Sequence, residues 1–144
     1  MKKYIGTKLI QAEPALSTKE SGIHPIGSQG YKVIYPDGYA SWSPKEEFEK
    51  AYRETSGMSF GLAIEAMKKG FKVCRAGWNG KGMFLFLVPG SQFKVSRAPL
   101  LGIYPEGTEI NYCPHIDMKT ADEKVVPWLA SQTDMLADDW QIVE

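Results

Sequence analysis

The chain has 144 residues, 43% hydrophobic and 24% charged, which are the proportions of a folded globular protein with room for one domain or two small units. Lys and Arg number 17, Asp and Glu 17, so the formal net charge is zero, which argues against a protein that coats bulk nucleic acid. The longest apolar run, Met83 to Val88, is far too short for a membrane span, and Met1-Lys2-Lys3-Tyr4 opens no secretion signal, so a cytoplasmic protein without membrane attachment is expected.

Residues 1–57 read as a first unit. Tyr4 to Ala12 has partial alternation and predicts a strand that Pro14 ends. Ser17 to Gly30 is rich in Ser, Gly and Lys and predicts a mobile loop, with His24 on its surface. Tyr31 to Tyr35 and Tyr39 to Trp42 flank Pro36-Asp37-Gly38, which is a hairpin signal. Ser43-Pro44-Lys45-Glu46 follows. It predicts a helix from Pro44 to about Arg53, capped by Ser43 with Glu46 closing a capping box. Phe48, Ala51 and Tyr52 give that helix one apolar stripe.

Glu54 to Gly57 reads as a linker, and residues 58–144 as a second unit. Ser59 caps a predicted helix, Phe60 to Lys69, and Gly70 stops it. Phe71 to Arg75 predicts a strand feeding Gly77-Trp78-Asn79-Gly80-Lys81-Gly82. Met83 to Val88 follows as a strand buried on both faces. Two readings of the glycine loop stay open. It is a tight turn whose Trp78 covers the core, or a corner where a ligand's ring and phosphate are met. Gln92 to Val95 predicts a short strand, and Arg97 to Gly107 a loop. Asn111 to Met118 and Val125 to Ala130 read as strands joined near Asp122. Thr133 caps a helical turn to Asp138, and Trp140 to Val143 is a last strand. The fold class is α+β: a short helix packed on an antiparallel meander, with a small hairpin-and-helix unit before it. No internal repeat and no low-complexity segment are expected.

Catalysis finds little support. His24 and His115 have no metal-ligand spacing, and neither do Cys74 and Cys113, which read as reduced, mostly packed thiols. Cys113-Pro114-His115 allows a nucleophilic pair but has no orienting third group nearby. Asp134, Asp138 and Asp139 suit solvated or capping roles better than acid–base work. From Lys68 to Arg97 all charges are basic, while the stretch from Glu106 to the end is mostly acidic. That asymmetry fits two solvated faces, two poles of a self-associating protomer, or a cationic rim for phosphates. Trp140 reads as core. Trp78 and Trp128 adjoin polar turn residues and could stack on a base, with Ser131, Gln132, Thr133 and Asp134 hydrogen-bonding its edges or a ribose.

Three ordered motifs carry a family resemblance. They are Met58-Ser-Phe-Gly-Leu-Ala-Ile-Glu-Ala-Met-Lys-Lys-Gly, Arg75-Ala-Gly-Trp-Asn-Gly-Lys-Gly-Met, and Pro127-Trp-Leu-Ala-Ser-Gln-Thr-Asp-Met-Leu-Ala-Asp-Asp-Trp. Together they resemble the second type of phage Thoeris anti-defence protein, over residues 58–144. Residues 1–57 look like an N-terminal extension. The resemblance implies a non-enzymatic sponge without cofactors, working in the cytoplasm of the infected bacterial host. Such proteins sequester a cyclised ADP-ribose signal, and some also take cyclic oligonucleotides at a separate site. It also implies a homo-oligomer, a tetramer, with pockets between protomers. By matched motif the ligand-binding residues are Phe60, Ala63, Trp78, Asn79, Trp128, Thr133, Asp134 and Met135, with Arg75 and Lys81 for phosphate. The Arg97 to Asn111 stretch reads as an insertion that reshapes or caps a pocket. The rival expectations are a phage structural or assembly protein without a nucleotide ligand, and a metal-dependent nucleotide hydrolase using Asp134 or Asp138.

Overall fold

A computed structural model describes residues 1–144, which form two compact units, Met1–Glu54 and Thr55–Glu144.

In the first unit, β1 (Gln11–Leu16), β2 (Gln29–Ile34) and β3 (Ala40–Pro44) form an antiparallel sheet in that order, followed by α1 (Lys45–Ala51). The hairpin around Pro36-Asp37-Gly38 is as expected, with Tyr35 N–H donating to Tyr39 O at 2.8 Å. The first strand is not. It starts at Gln11 rather than Tyr4 and runs through Pro14, which pairs with Tyr31. β1 is an edge strand, where a residue without an N–H is tolerated. Ser17 to Ser28 is a braced turn rather than a mobile loop. Ser17 is buried, its hydroxyl donates to Pro25 O at 2.9 Å, and it accepts from Ser28 N at 3.2 Å. His24 lies half-buried, edge-on to Trp42. Ser43 does not cap α1: it is paired with Tyr31 inside β3, Pro44 takes the cap position, and no side-chain cap bond forms. The sheet's claim on Ser43 overrides the capping box. The stripe survives as a stack of Tyr31 on Phe48 at 4.1 Å and Phe48 on Tyr52 at 5.0 Å.

The second unit is α+β in two layers. α2 (Phe60–Lys68) starts at Ser59, whose hydroxyl accepts from Leu62 N. It packs on a five-stranded antiparallel sheet ordered β10-β4-β5-β8-β9. The strands are β4 (Lys72–Arg75), β5 (Phe84–Val88), β8 (His115–Lys119), β9 (Val125–Pro127) and β10 (Trp140–Val143). β6 (Ser91–Lys94) and β7 (Glu109–Tyr112) form a separate two-stranded ribbon, and α3 (Gln132–Met135) lies between β9 and β10. Met58, Ala63, Ala66, Met67, Val73, Leu85 and Trp140 make the core between helix and sheet.

β5 is central, but it is not buried on both faces. Leu85 is fully buried under α2, while Phe84, Phe86 and Val88 are half-buried on the face with no helix. There Lys72 and Lys119 place their ammonium groups 5.0 and 5.7 Å from the Phe84 ring centre. The expected strand from Asn111 to Met118 is broken into β7 and β8 at Cys113-Pro114, since proline donates no ladder bond. β9 is shorter than expected and ends at Pro127, although Trp128 N still donates to Ile116 O at 3.1 Å. Both thiols are free, Cys74 half-buried and Cys113 exposed, so Cys113 is not the packed thiol expected.

The ribbon overturns the expectation of no internal repeat. Gly22-Ile-His-Pro-Ile-Gly-Ser-Gln29 and Gly102-Ile-Tyr-Pro-Glu-Gly-Thr-Glu109 close the β1–β2 and β6–β7 hairpins in the same way. Ser17 N donates to Ser28 O at 2.9 Å, as Val95 N does to Thr108 O at 2.9 Å. Gly27 N donates to Ser17 O and Gly107 N to Val95 O, both at 2.9 Å. Ser28 Oγ and Thr108 Oγ1 donate to the carbonyls of Pro25 and Pro105 at 2.6 and 2.7 Å. Gly27 and Gly107 have φ of 86° and 82°, a left-handed conformation that costs a side-chain-bearing residue energy. The second turn is slightly longer, and both carry Gly-Ile-x-Pro-x-Gly, so the likeness is present in the sequence.

If the two turns are one module, Gly27→Ala and Gly107→Ala should have matched effects. Each should destabilise its own hairpin by about 1–2 kcal/mol. Hydrogen exchange at the Ser17 and Val95 amides reads this; a large effect at one site and none at the other would contradict the equivalence.

Candidate functional site

The second unit gathers aromatic rings where β4 ends, next to the start of β10. Arg75 and Trp140 are cross-strand partners, so both point to the α2 side of the sheet. Trp140 is fully buried, as expected of a core residue, and the other rings stand around it. Phe60 of α2 lies 5.3 Å away, Trp78 5.4 Å and Trp128 6.1 Å between ring centres, and Phe60 meets Trp128 at 6.0 Å. Trp78 and Trp128 both meet Trp140 edge-on and are half-buried. Each keeps ring surface open to solvent, so this group is an aromatic surface site on a buried pivot.

Polar contacts fix the rings. Arg75 Nε donates to Asp139 Oδ1 at 2.8 Å, and its Nη1 to Asp134 Oδ1 at 2.9 Å. The same Asp134 oxygen accepts from Trp78 Nε1 at 3.3 Å. Asp134 Oδ2 accepts from Ser131 Oγ at 2.8 Å, while the Asp134 amide donates to Ser131 Oγ at 3.0 Å. The Asp134 carbonyl accepts from Trp140 Nε1 at 2.9 Å. Asp139 Oδ2 accepts from Gly77 N at 2.8 Å. A Cβ at Gly77 would stand 2.9 Å from that oxygen, so glycine is what lets the loop close on the carboxylate. The basic first half of the unit and its acidic second half thus meet through Arg75.

Electrostatics follow the geometry. Arg75 is held even more firmly protonated by Asp139 and Asp134. For Asp134, burial alone would raise the carboxyl; hydrogen bonds from Arg75, Ser131 and Trp78 outweigh it and bring the group below the usual carboxylate range. Asp139 is lowered chiefly by Arg75, against burial, with help from the Gly77 amide.

The sequence-predicted residues divide accordingly. Phe60, Trp78, Trp128, Arg75 and Asp134 come together. Ala63 is fully buried on the core-facing side of α2, where it packs rather than faces solvent. Asn79 and Lys81 are exposed on the glycine loop, and Thr133 and Met135 are exposed on α3. Thr133 does not cap α3: Ser131 does, in a reciprocal capping box with Asp134. The signal for that cap, Ser131-x-x-Asp134, is present in the sequence. Asp139 is the residue that sequence reasoning missed, because its partner Arg75 lies far away along the chain. No group of three or more His, Cys, Asp or Glu side chains is placed to hold a metal ion, and no helix is long and apolar enough to cross a membrane.

Fold and ring group define a small two-layer α+β domain with an aromatic surface site braced by an arginine and two aspartates. Residues 58–143, which contain all of it, match the Thoeris anti-defense 2-like domain, and the chain belongs to that family. It is similar to "Thoeris anti-defense 2" of Bacillus phage SP01, 46% identical over 86 residues, which is 60% of this chain and 94% of that protein. The membership assigns it to phage anti-defence.

The depressed carboxyls set a pH dependence. An unperturbed aspartate titrates at about 3.9. Folded Asp134 and Asp139 both lie below their ordinary value, so the stability they give is complete above it and drains away as pH falls through their folded values. Asp134→Asn should lower stability at neutral pH by about 2 kcal/mol, the scale of a hydrogen bond to a charged group. It should also flatten the acid limb of a melting-temperature profile. An unchanged acid limb would show that the clasp is not what titrates.

Proposed function

We propose that the protein captures a cyclic ADP-ribose-type signalling nucleotide and holds it without degrading it, so that the signal does not reach its receptor. The observation that carries this is the convergence of Trp78, Trp128 and Phe60 on Trp140, with the Trp78 indole fixed through Asp134. Fixed, half-exposed indoles suit stacking on adenine. Lys81 and Asn79, exposed on the glycine loop, offer an ammonium and an amide to a pyrophosphate. Thr133 and Met135 are exposed on α3, on either side of Asp134 in the chain. Arg75 and Asp134, bonded to each other, act from behind as a brace, and Ala63 lets α2 sit close on the sheet. Cyclic oligonucleotides share the same chemistry of purines and phosphates and form a second class of ligand.

In this proposal the working unit is a homo-oligomer, a tetramer, in the cytoplasm of the infected bacterial host, with pockets completed between protomers. Support comes from apolar side chains left in solvent beside the site. Leu129 is 91% and Leu136 78% exposed, next to Trp128 and Met135 in the chain. A second copy would cover them.

Trp78→Ala and Trp128→Ala should each weaken binding of the cyclic nucleotide by about 1–3 kcal/mol in calorimetric titration, the scale of one lost stack. After incubation and denaturation of the native protein, the ligand should be recovered unchanged. Folded variants with full affinity would refute the ring site; a converted ligand would refute sequestration.

A further inference from the structure

The unit Met1–Glu54 lies outside the family match and has a recess of its own. α1 has only seven residues and packs against β2 and β3, leaving the β1 side of the sheet without cover. A groove of about 420 Å³ opens there, its lining including Pro14, Leu16, Gln29, Tyr31, Lys45 and Glu49. The register places Leu16 opposite Gln29 and Pro14 opposite Tyr31, so these four share one face.

The second hairpin shows what those positions carry when they are merely solvated. By the same register, Lys94 pairs with Glu109 and Gln92 with Asn111, all four exposed, and Gln92 donates to Glu109. Leu16 stands where the ribbon has Lys94, and Pro14 where it has Gln92. Tyr31 is accounted for by α1: its ring stacks on Phe48, and its hydroxyl donates to Glu49 Oε1 at 2.9 Å. Leu16 is not, since it remains 62% exposed. The groove's wall is charged with both signs. Lys45 and Glu49 lie one helical turn apart; the Tyr31 hydroxyl orients Glu49, and the ion pairs of α1 join Lys50 to Glu46 and Glu47, leaving Lys45 without one.

We propose that this groove binds a short extended peptide with an acidic and a basic residue two positions apart and an aliphatic residue beside them. Side chains two apart on an extended chain point the same way, about 6.6 Å from each other. That matches the roughly 5–6 Å between side chains one turn apart on a helix. The acidic residue meets the Lys45 ammonium, the basic one meets the Glu49 carboxylate, and the aliphatic side chain lies on Pro14 and Leu16.

The test titrates the full-length, ¹⁵N-labelled chain with a blocked, leucine-flanked peptide carrying one glutamate and one lysine two positions apart. Saturable shifts are expected at the Leu16, Gln29, Lys45 and Glu49 amides. Leu16→Lys installs the residue that the second hairpin already carries at this position, so the hairpin stays folded while binding weakens about tenfold. Lys45→Glu should switch preference to a peptide with two lysines. The proposal is overturned if no saturable shift occurs at millimolar peptide, if Leu16→Lys leaves the affinity unchanged, or if free leucine reproduces the shifts at the same concentration.

Discussion

The candidate site depends on one guanidinium. Arg75 leaves the end of β4 on the helix side of the sheet and is clasped by two carboxylates from the far end of the unit. Its side chain is only 16% exposed, so a bare charge there would be costly, and both aspartates are held ionised to offset it. Each carboxylate then does a second job. Asp139 draws in the Gly77 amide and closes the glycine loop. Asp134 holds the Trp78 indole and closes the capping box that starts α3. Through its carbonyl it also anchors Trp140, the pivot of the ring group. Loop, helix and rings are thus tied to one cation.

The clasp changes the role of two residues the sequence offers as ligand contacts. Arg75 reads as a free cation for phosphate, yet its Nε and Nη1 are committed inside the protein. Asp134 reads as a hydrogen-bonding edge for a base or ribose, yet both its oxygens already accept. In the proposed function, recognition then falls to the rings and to the exposed Asn79 and Lys81, with the charged pair keeping the rings in place. Preorganising a stacking surface in this way lowers the ordering cost of binding.

What could be read from the letters alone was whatever local rules decide. Ser59 announces α2, and Asp37-Gly38 announces the β2–β3 turn. Trp140 reads as core, and the structure buries it completely. What could not be read was decided at a distance. Ser43 and Glu46 carry a valid capping signal, but strand pairing with Tyr31 takes Ser43 first. Pro14 looks like a strand breaker until β1 turns out to be an edge. Arg75 and Asp139 have nothing in common locally, so their pairing is invisible without the fold. The repeated turn, by contrast, is legible, since Gly22-Ile-x-Pro-x-Gly27 recurs as Gly102-Ile-x-Pro-x-Gly107, although Ser17 and Val95, which hold equivalent backbone places, differ in chemistry.

The central claim is that the ring group holds an intact cyclic nucleotide. Native mass spectrometry of the full chain, with a panel of cyclic ADP-ribose isomers and cyclic oligonucleotides, tests it most directly, because one spectrum gives ligand mass, stoichiometry and oligomeric state. The account predicts an oligomer carrying ligand of unaltered mass, with occupancy lost in Trp78→Ala. A protein that stays empty across the panel, or that carries only a linearised or cleaved product, would contradict it.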